Sequence, residues 1–368
     1  MTRKKESSPG DRVGPVTVRD LAGACGLHFT TVSYALHGDR RRVSAATVER
    51  VQALAREMGY EPGANEAARR LSLQRGGIRP LRRIVGIVTD REVVAEPYYF
   101  RIFQGMLRVL TAEGFGIFIS YREDDSPEGL HPALLRGDVD ALLLPGSFGV
   151  TPEEAGRLRR LSASRTFPIV SVIFSQPGWA AVVADDAGGA QALVAYVLDQ
   201  GHRELLHHAD ESSSVHVHRL EGYRRACRER GLDPEQVLHF NSWWRPYGRD
   251  RRARDWVWEA LCEAREAYPE TTAILAPNDL AAVQYYEALA MNGIRVPEDL
   301  SLTGFDDTHV IPEGKGGNLL TTVHVPLEEI GQEAARLILR QLAGEALPGA
   351  QIVLPTHLVP RGSVASPS

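Results

Sequence analysis

Residues 16–36 read VTVRDLAGACGLHFTTVSYAL, and their spacing predicts two short helices joined by a glycine turn. Thr17 is placed to cap the first helix, with Asp20 three residues on to complete a capping pair. Val18, Leu21, Ala22 and Cys25 then fall at i, i+3, i+4 and i+7, one apolar face. Gly26 stands where the chain needs a left-handed residue to leave the helix, and Leu27 closes the corner. A second helix buries Val32, Ala35 and Leu36 and turns Phe29, Thr30, Ser33, Tyr34 and His37 outward. Beyond it, Ser44 caps a third helix that carries Val48, Val51, Leu54, Ala55 and Met58 inward and ends at Gly59. Three such helices bury one small core, and the pattern is that of a helix-turn-helix, which points to DNA. Ordinary amphipathic helices of an α/β enzyme do not require this agreement of cap, turn and period.

Charge supports that reading. The chain has 368 residues, 43% hydrophobic and 24% charged, which suits two or three soluble domains. Residues 1–83 hold 16 Lys and Arg against 8 Asp and Glu, leaving 26 against 39 for the rest. A basic head on an acidic body suits a head that meets a polyanion. Cys25, Cys227 and Cys262 are far apart in sequence, so they read as core residues of a reduced, cytoplasmic protein rather than a disulfide framework. The first dozen residues are polar and no apolar run approaches the length of a membrane span, so neither a signal peptide nor a membrane partner is expected.

Residues 76–83, GGIRPLRR, have the composition of a linker, which sets a boundary near residue 80. From there, short apolar runs at 84–88, 117–119, 141–144, 169–174 and 181–184 alternate with helix-like stretches. A second series follows at 205–206, 237–240, 273–276 and 300–305. Continuous apolar runs suit parallel strands buried on both faces, so the body is read as α/β with two lobes.

Several motifs then become specific together: VTVRDLAGACGL, TTVSYAL, VSAATVERVQALAREMGYEP and NEAARRL in the head, and VVADDAGGAQALVAYVLDQGHREL, RLEGYRRACRERGL, TAILAPNDLAA, VPEDLSLTGFDD and LTTVHVPLEEIG in the body. In this order, over nearly the whole chain, the sequence resembles the lactose/galactose-repressor (LacI/GalR) family of transcription regulators. The resemblance implies an all-α headpiece at 15–61, a hinge and linker at 62–82, and a body like that of periplasmic sugar-binding proteins. In that body one lobe would be 83–184 plus 309–325 and the other 185–308 plus 326–361, with crossings near Ala184, Thr308 and Val325.

Carried over residue by residue, the resemblance places Arg219, Asn278 and Asp306 toward a small effector between the lobes. A guanidinium, an amide and a carboxylate at strand ends suit vicinal hydroxyls. The same residue types also cap helices and form structural ion pairs, so local roles stand beside the ligand role. Trp243 and Trp244, with Tyr247, lie where some sugar-responsive relatives stack an aromatic on a ring, although core packing would use them as well. Tyr98, Tyr99 and Phe100 are candidates for the opposite wall. Ile173 and Phe174 stand where relatives often present a polar contact, which leaves room for a larger or more apolar effector.

In the head, the resemblance puts the second helix in the major groove with Phe29, Thr30 and Tyr34 reading bases. Thr31 and Ser33 are placed for phosphates, with Thr17, His28, His37 and Arg41 at the same surface, and residues 40–42 add attraction that weakens with salt. His28 replaces a small residue usual in the family and Tyr34 a frequent arginine, so the operator sequence does not transfer. Residues 65–71 resemble the hinge helix that folds on operator DNA. Asn65 begins it, Ala68 allows close approach of two copies, and Leu71 either wedges a base step or packs on the body. Gly63 and Ala64 look like two extra residues before it. A homodimer on a near-palindromic operator is the expected assembly. The C-terminal PRGSVASPS lacks the leucine heptads that tetramerise some relatives.

No cofactor is expected. His207, His208, His216 and His218 have no completing ligand pattern for a metal, and Gly314, Gly316 and Gly317 make no dinucleotide loop. The function expected is a DNA-binding regulator, rather than an enzyme, whose operator affinity a sugar-like effector modulates. The alternatives are a regulator without a ligand, or a sugar-binding module or enzyme on the same body.

Overall fold

The structure, a computed structural model, describes residues 16–36, 39, 41–60, 81–89, 96–121, 131–136, 138–146, 156, 158, 160, 168–209, 214–240, 253–314 and 316–367. The chain divides into two units, Met1–Leu81 and Arg82–Ser368.

In the first unit, α1 (Val18–Cys25), α2 (Phe29–Leu36) and α3 (Ala45–Glu57) follow one another. Thr17 and Asp20 form the capping box: the Asp20 amide donates to Thr17 Oγ1 at 3.3 Å and the Thr17 amide to Asp20 Oδ2 at 2.9 Å. Two amides that no helical carbonyl reaches are thereby satisfied. Gly26 ends α1 in the left-handed region at φ 66°, where a Cβ would be strained. Leu21, Ala22, Cys25, Val32, Ala35, Val48, Val51 and Ala55 form the core, with Leu27, Leu36, Leu54 and Met58 packed against it. Helix α3 also fastens the two helices before it, because Arg50 donates to the Cys25 carbonyl at the end of α1 and Gln52 to the Ala35 carbonyl in α2.

The second unit is α/β. Its larger sheet runs in the order β11-β5-β4-β3-β1-β2, with every pairing parallel. These strands are β1 (Ile84–Thr89), β2 (Gly116–Tyr121), β3 (Ala141–Pro145), β4 (Ile169–Val172), β5 (Ala180–Ala184) and β11 (Gln351–Leu354). The smaller parallel sheet has the order β7-β6-β8-β9, from β6 (Leu205–His207), β7 (Leu238–Phe240), β8 (Ala273–Leu275) and β9 (Ser301–Thr303). An antiparallel pair is made by β10 (Thr322–His324), which follows β9 in the chain, and β12 (His357–Val359), which follows β11. Strands β3, β4, β5, β6 and β8 are buried throughout, as their unbroken apolar runs require.

The helices that position the site are α4 (Pro97–Ala112), α6 (Asp186–Asp199), α7 (Ser214–Glu229), α10 (Asp279–Met291) and α11 (Leu327–Leu342), with the short α5 (Pro132–Arg136), α8 (Pro234–Val237) and the longer α9 (Ala253–Ala267) between them. α4 crosses α11, and α6 crosses α7, each with the axes close. Glycine makes the first crossing possible, because a Cβ on Gly331 would stand 2.0 Å from the Ile102 carbonyl oxygen.

The lobes are shared out differently from the expectation. Residues 326–361 were expected in the second lobe, yet α11 packs on α4 and on β3, β4 and β5, and β11 extends the larger sheet beside β5. Residues 309–325 were expected in the first lobe, yet Ile311 and Leu320 are buried with Leu302 and Tyr285 of the second. The crossings therefore fall after Ala184, near Val325 and after Leu354, and none falls at Thr308. An amphipathic helix such as α11 has an apolar face that fits either lobe, so its partner is a tertiary choice.

Candidate functional site

The outward side of α2 is the first candidate surface. Phe29 is 48% exposed, unusual for so large an apolar ring. Its ring lies 4.6 Å from that of His28, whose Nδ1 meets Thr30 Oγ1 at 2.9 Å. Thr31, Ser33 and Tyr34 are half-buried along the same helix. The Arg42 guanidinium sits 4.7 Å over the Tyr34 ring and 3.6 Å from Asp39, which holds the phenol and a cation together. Arg41 is exposed, its amide held by Asp39. Thr17 is engaged in its cap. His37, Asn65, Ala68 and Leu71 lie outside the described residues.

The second candidate site lies where the two lobes of the body exchange strands. Asp185 caps α6 through the Gly188 amide at 2.9 Å, and its own amide and carbonyl hold Leu354 and Thr356 beside it. The next residue, Asp186, faces Arg219 of α7. Arg219 is 5% exposed. It donates from Nε to Asp186 Oδ1 at 3.0 Å, from Nη1 to the Pro277 carbonyl, and from Nη2 to Asp306 Oδ1 at 3.3 Å. Its Cζ rests 3.6 Å above the Phe305 ring. One buried guanidinium thus joins the starts of α6 and α7, the loop before α10 and the end of the second-lobe sheet.

Burial dominates the electrostatics here. It pushes the Asp186 and Asp306 carboxyls up despite the attraction of Arg219, Asp306 the further of the two. For Arg219 burial acts downward, but the two carboxylates outweigh it and hold the charge firmly on. Burial pushes the Tyr223 phenol up to about 12. Tyr98, at the start of α4 in the other lobe, is raised by burial and by the charges of Asp306 and Asp186, so its hydroxyl stays protonated. Asp306 adopts φ 106°, a costly conformation for a residue with a Cβ. Its amide is fixed to the Val323 carbonyl.

Asp279 lies beside this cluster with no exposure. It accepts from Thr322 Oγ1 at 2.5 Å and from the Thr308 and His309 amides at 2.7 and 3.4 Å. Burial lifts its carboxyl to about 6 against those three donors. Arg101 of α4 reaches across from the first lobe to the Asp307 carbonyl at 3.2 Å. Asp307 itself is paired with Arg361 and His324.

Of the expected effector residues, Arg219 and Asp306 are brought into direct contact. Asn278 caps α10, its Oδ1 accepting the Ala281 amide at 2.8 Å, and is half-buried. Tyr99 stacks edge-on to Tyr98 at 5.0 Å. Phe100 does not join them: it is 52% exposed, although the buried Ile102 and Phe103 stand only two and three residues further along α4. Ile173 is 7% exposed and sits in the first-lobe core with φ 68° at the end of β4. Trp243 and Trp244 lie outside the described residues. Asp186, Asp279 and Phe305 were not singled out beforehand. The acidic pair Asp185–Asp186 directly after an apolar strand was the one signal for the first, since helix capping needs a single carboxylate there.

Among the described residues no group of three or more His, Cys, Asp or Glu is placed to hold a metal ion. No described helix is long and apolar enough to cross a membrane.

A capped helix-turn-helix, together with a two-lobed parallel α/β body, defines a DNA-binding transcription regulator. Residues 17–63 match the model for bacterial regulatory proteins of the lacI family, and residues 194–364 match a periplasmic binding protein-like domain. The chain thus joins a lacI-family helix-turn-helix domain to a periplasmic binding protein-like domain. It is 29% identical to the HTH-type transcriptional regulator CelR of Thermobifida fusca over 94% of this chain and 98% of that protein. Among solved structures, the CelR-cellobiose complex superposes with a TM-score of 0.63 at 26% identity, covering 95% of this chain and 99% of that one. The lac repressor dimer bound to operator and the anti-inducer ONPF gives 0.64 at 24% identity, with the same coverage; that likeness is one of fold.

Proposed function

We propose that this regulator binds a near-palindromic operator as a cytoplasmic homodimer and is switched by a small sugar-like effector held between the lobes of the body. The observation that carries the effector reading is the buried Asp186–Arg219–Asp306 cluster at the strand crossing, with Tyr98 of the opposite lobe close enough to feel both carboxylates. A polar cluster walled by aromatics, at the point where lobe movement is decided, suits a hydroxyl-rich ligand. The relative solved with cellobiose supports a sugar. An effector that touches both lobes favours one lobe angle over another, and so biases operator affinity by its differential binding.

For the head, Phe29, Thr30 and Tyr34 are assigned to base edges, with Thr31, Ser33 and Arg41 on phosphates. For the dimer, the exposed face of α4 carries Phe100 and Leu107, and edge strand β2 carries Ile119 and Tyr121, all apolar and more than a third exposed. Exposed apolar side chains on an edge strand and on a helix of the same lobe suit a second copy, which covers both.

The test is operator binding by the purified protein to its own upstream DNA at fixed salt, with and without a panel of neutral sugars, amino sugars and glycosides. A specific complex whose affinity shifts with one compound is expected. Specific binding that no compound changes would remove the effector, and an absence of specific binding at any salt would remove the operator reading.

A further inference from the structure

Acidic groups outnumber basic ones at the lobe crossing. Asp186, Asp279 and Asp306 are 6%, 0% and 6% exposed. Among the described residues Arg219 is the one buried arginine or lysine. The other groups around the cluster are already engaged. Asp185 caps α6, Asp307 pairs with Arg361 and His324, and Arg101 donates to the Asp307 carbonyl. His309 meets Thr308, and its burial disfavours the charged form. His218, near Asp186, lowers that carboxyl less than Arg219 does.

Asp279 is closed off by Thr322 and two amides, but the other two acids are half-used. Asp186 and Asp306 each offer Oδ1 to Arg219, and among the described residues Oδ2 of neither accepts a hydrogen bond. Two buried acids share one guanidinium, which leaves two open acceptor positions and, when both acids are ionised, one negative charge without a partner. A carboxylate or phosphate brought here meets like charge where water screens least, while an ammonium supplies both the missing charge and the missing donors.

We propose that the effector carries a protonated amine, as an amino sugar does, with ammonium hydrogens donated to Oδ2 of Asp186 and Oδ2 of Asp306, and that anionic sugars are excluded. This rests on the reading of the lobe cleft as a sugar site.

The experiment is thermal shift and calorimetry on the full chain with sets matched in all but charge: D-glucose, D-glucosamine, N-acetyl-D-glucosamine, D-glucuronate and glucose phosphate, and the galactose and mannose counterparts. On at least one frame the free amine is expected to bind about tenfold or more tighter than the neutral and N-acetyl forms, with no binding by the acids. In D186N and D306N the tenfold advantage of the amine over the neutral sugar of the same frame is expected to shrink to about threefold or less. Binding of a uronate or phosphate, a neutral sugar as tight as its amine, or an amine preference that survives D186N and D306N would each overturn the inference and leave the sugar reading standing. Silence on every frame would take away the sugar reading and the inference with it.

Discussion

Replacing Arg219 by leucine tests whether the cluster is held by charge. The wild-type guanidinium is 5% exposed and bonded to two carboxylates and a carbonyl. Leucine retains apolar contact with Phe305 but leaves Asp186 and Asp306 without their cation. Removing one partner of a buried ion pair costs about 3 to 5 kcal/mol. For a chain of this size each kcal/mol lowers Tm by about 2 °C, so a fall of about 6 to 10 °C is expected near neutral pH. The pH dependence discriminates. Both carboxyls are already raised in the folded protein, and losing Arg219 raises them further. A carboxyl raised on folding contributes most below its unfolded value of about 4, and that contribution is lost as pH climbs to the folded value. The deficit of R219L should therefore be small at about pH 5 and grow toward about pH 8. The triple variant R219L/D186N/D306N should recover to within about 2 kcal/mol of wild type, since an uncharged set carries no stranded ion. Urea and thermal unfolding of the full chain across that pH range is the assay. A deficit independent of pH, or no recovery in the triple variant, would refute the argument and make Arg219 a packing residue.

Other expectations follow from the same geometry. Gly331→Ala places a methyl against the Ile102 carbonyl at the α4–α11 crossing and should lower stability by about 3 kcal/mol, read from urea unfolding. Asp20→Ala removes half of the capping box and should cost the head about 1 kcal/mol, visible as earlier melting of its helical signal. Phe29→Ala should weaken operator binding about tenfold with an unchanged salt slope, whereas Arg41→Ala should weaken it on all sequences and reduce the slope by about 1, both by titration at several salt concentrations. In Asp279→Asn the fall in stability between about pH 4 and 6 should be flattened, because the group whose folded value reaches about 6 is gone; an unchanged pH profile would place that fall elsewhere.

What was legible beforehand follows periodicity and local chemistry. The Thr17–Asp20 box, the left-handed Gly26, the Ser44 cap and the apolar faces of α1, α2 and α3 all depend on residues within four positions of each other, so sequence determined them. The nine body strands expected from apolar runs appear within a few residues of their predicted limits, because strands buried on both faces leave an unbroken apolar signature. Arg219 and Asp306 were legible as types in motifs.

Tertiary structure decided which distant pieces meet. Helix α11 and strand β11 joined the first lobe rather than the second, since an apolar face does not specify its partner. Asp186 and Asp306 lie 120 positions apart in the chain, and only the crossing of strands brings both onto one guanidinium. Their burial, and with it the sharing of one guanidinium by two acids, has no signature in local sequence. Phe100 and Tyr98 are two residues apart and alike in type, yet the helix turns one to solvent and the other to the acids. Residue spacing thus set the elements and the class of protein, while desolvation and long-range charge, which exist only once the lobes are packed, set the character of the site.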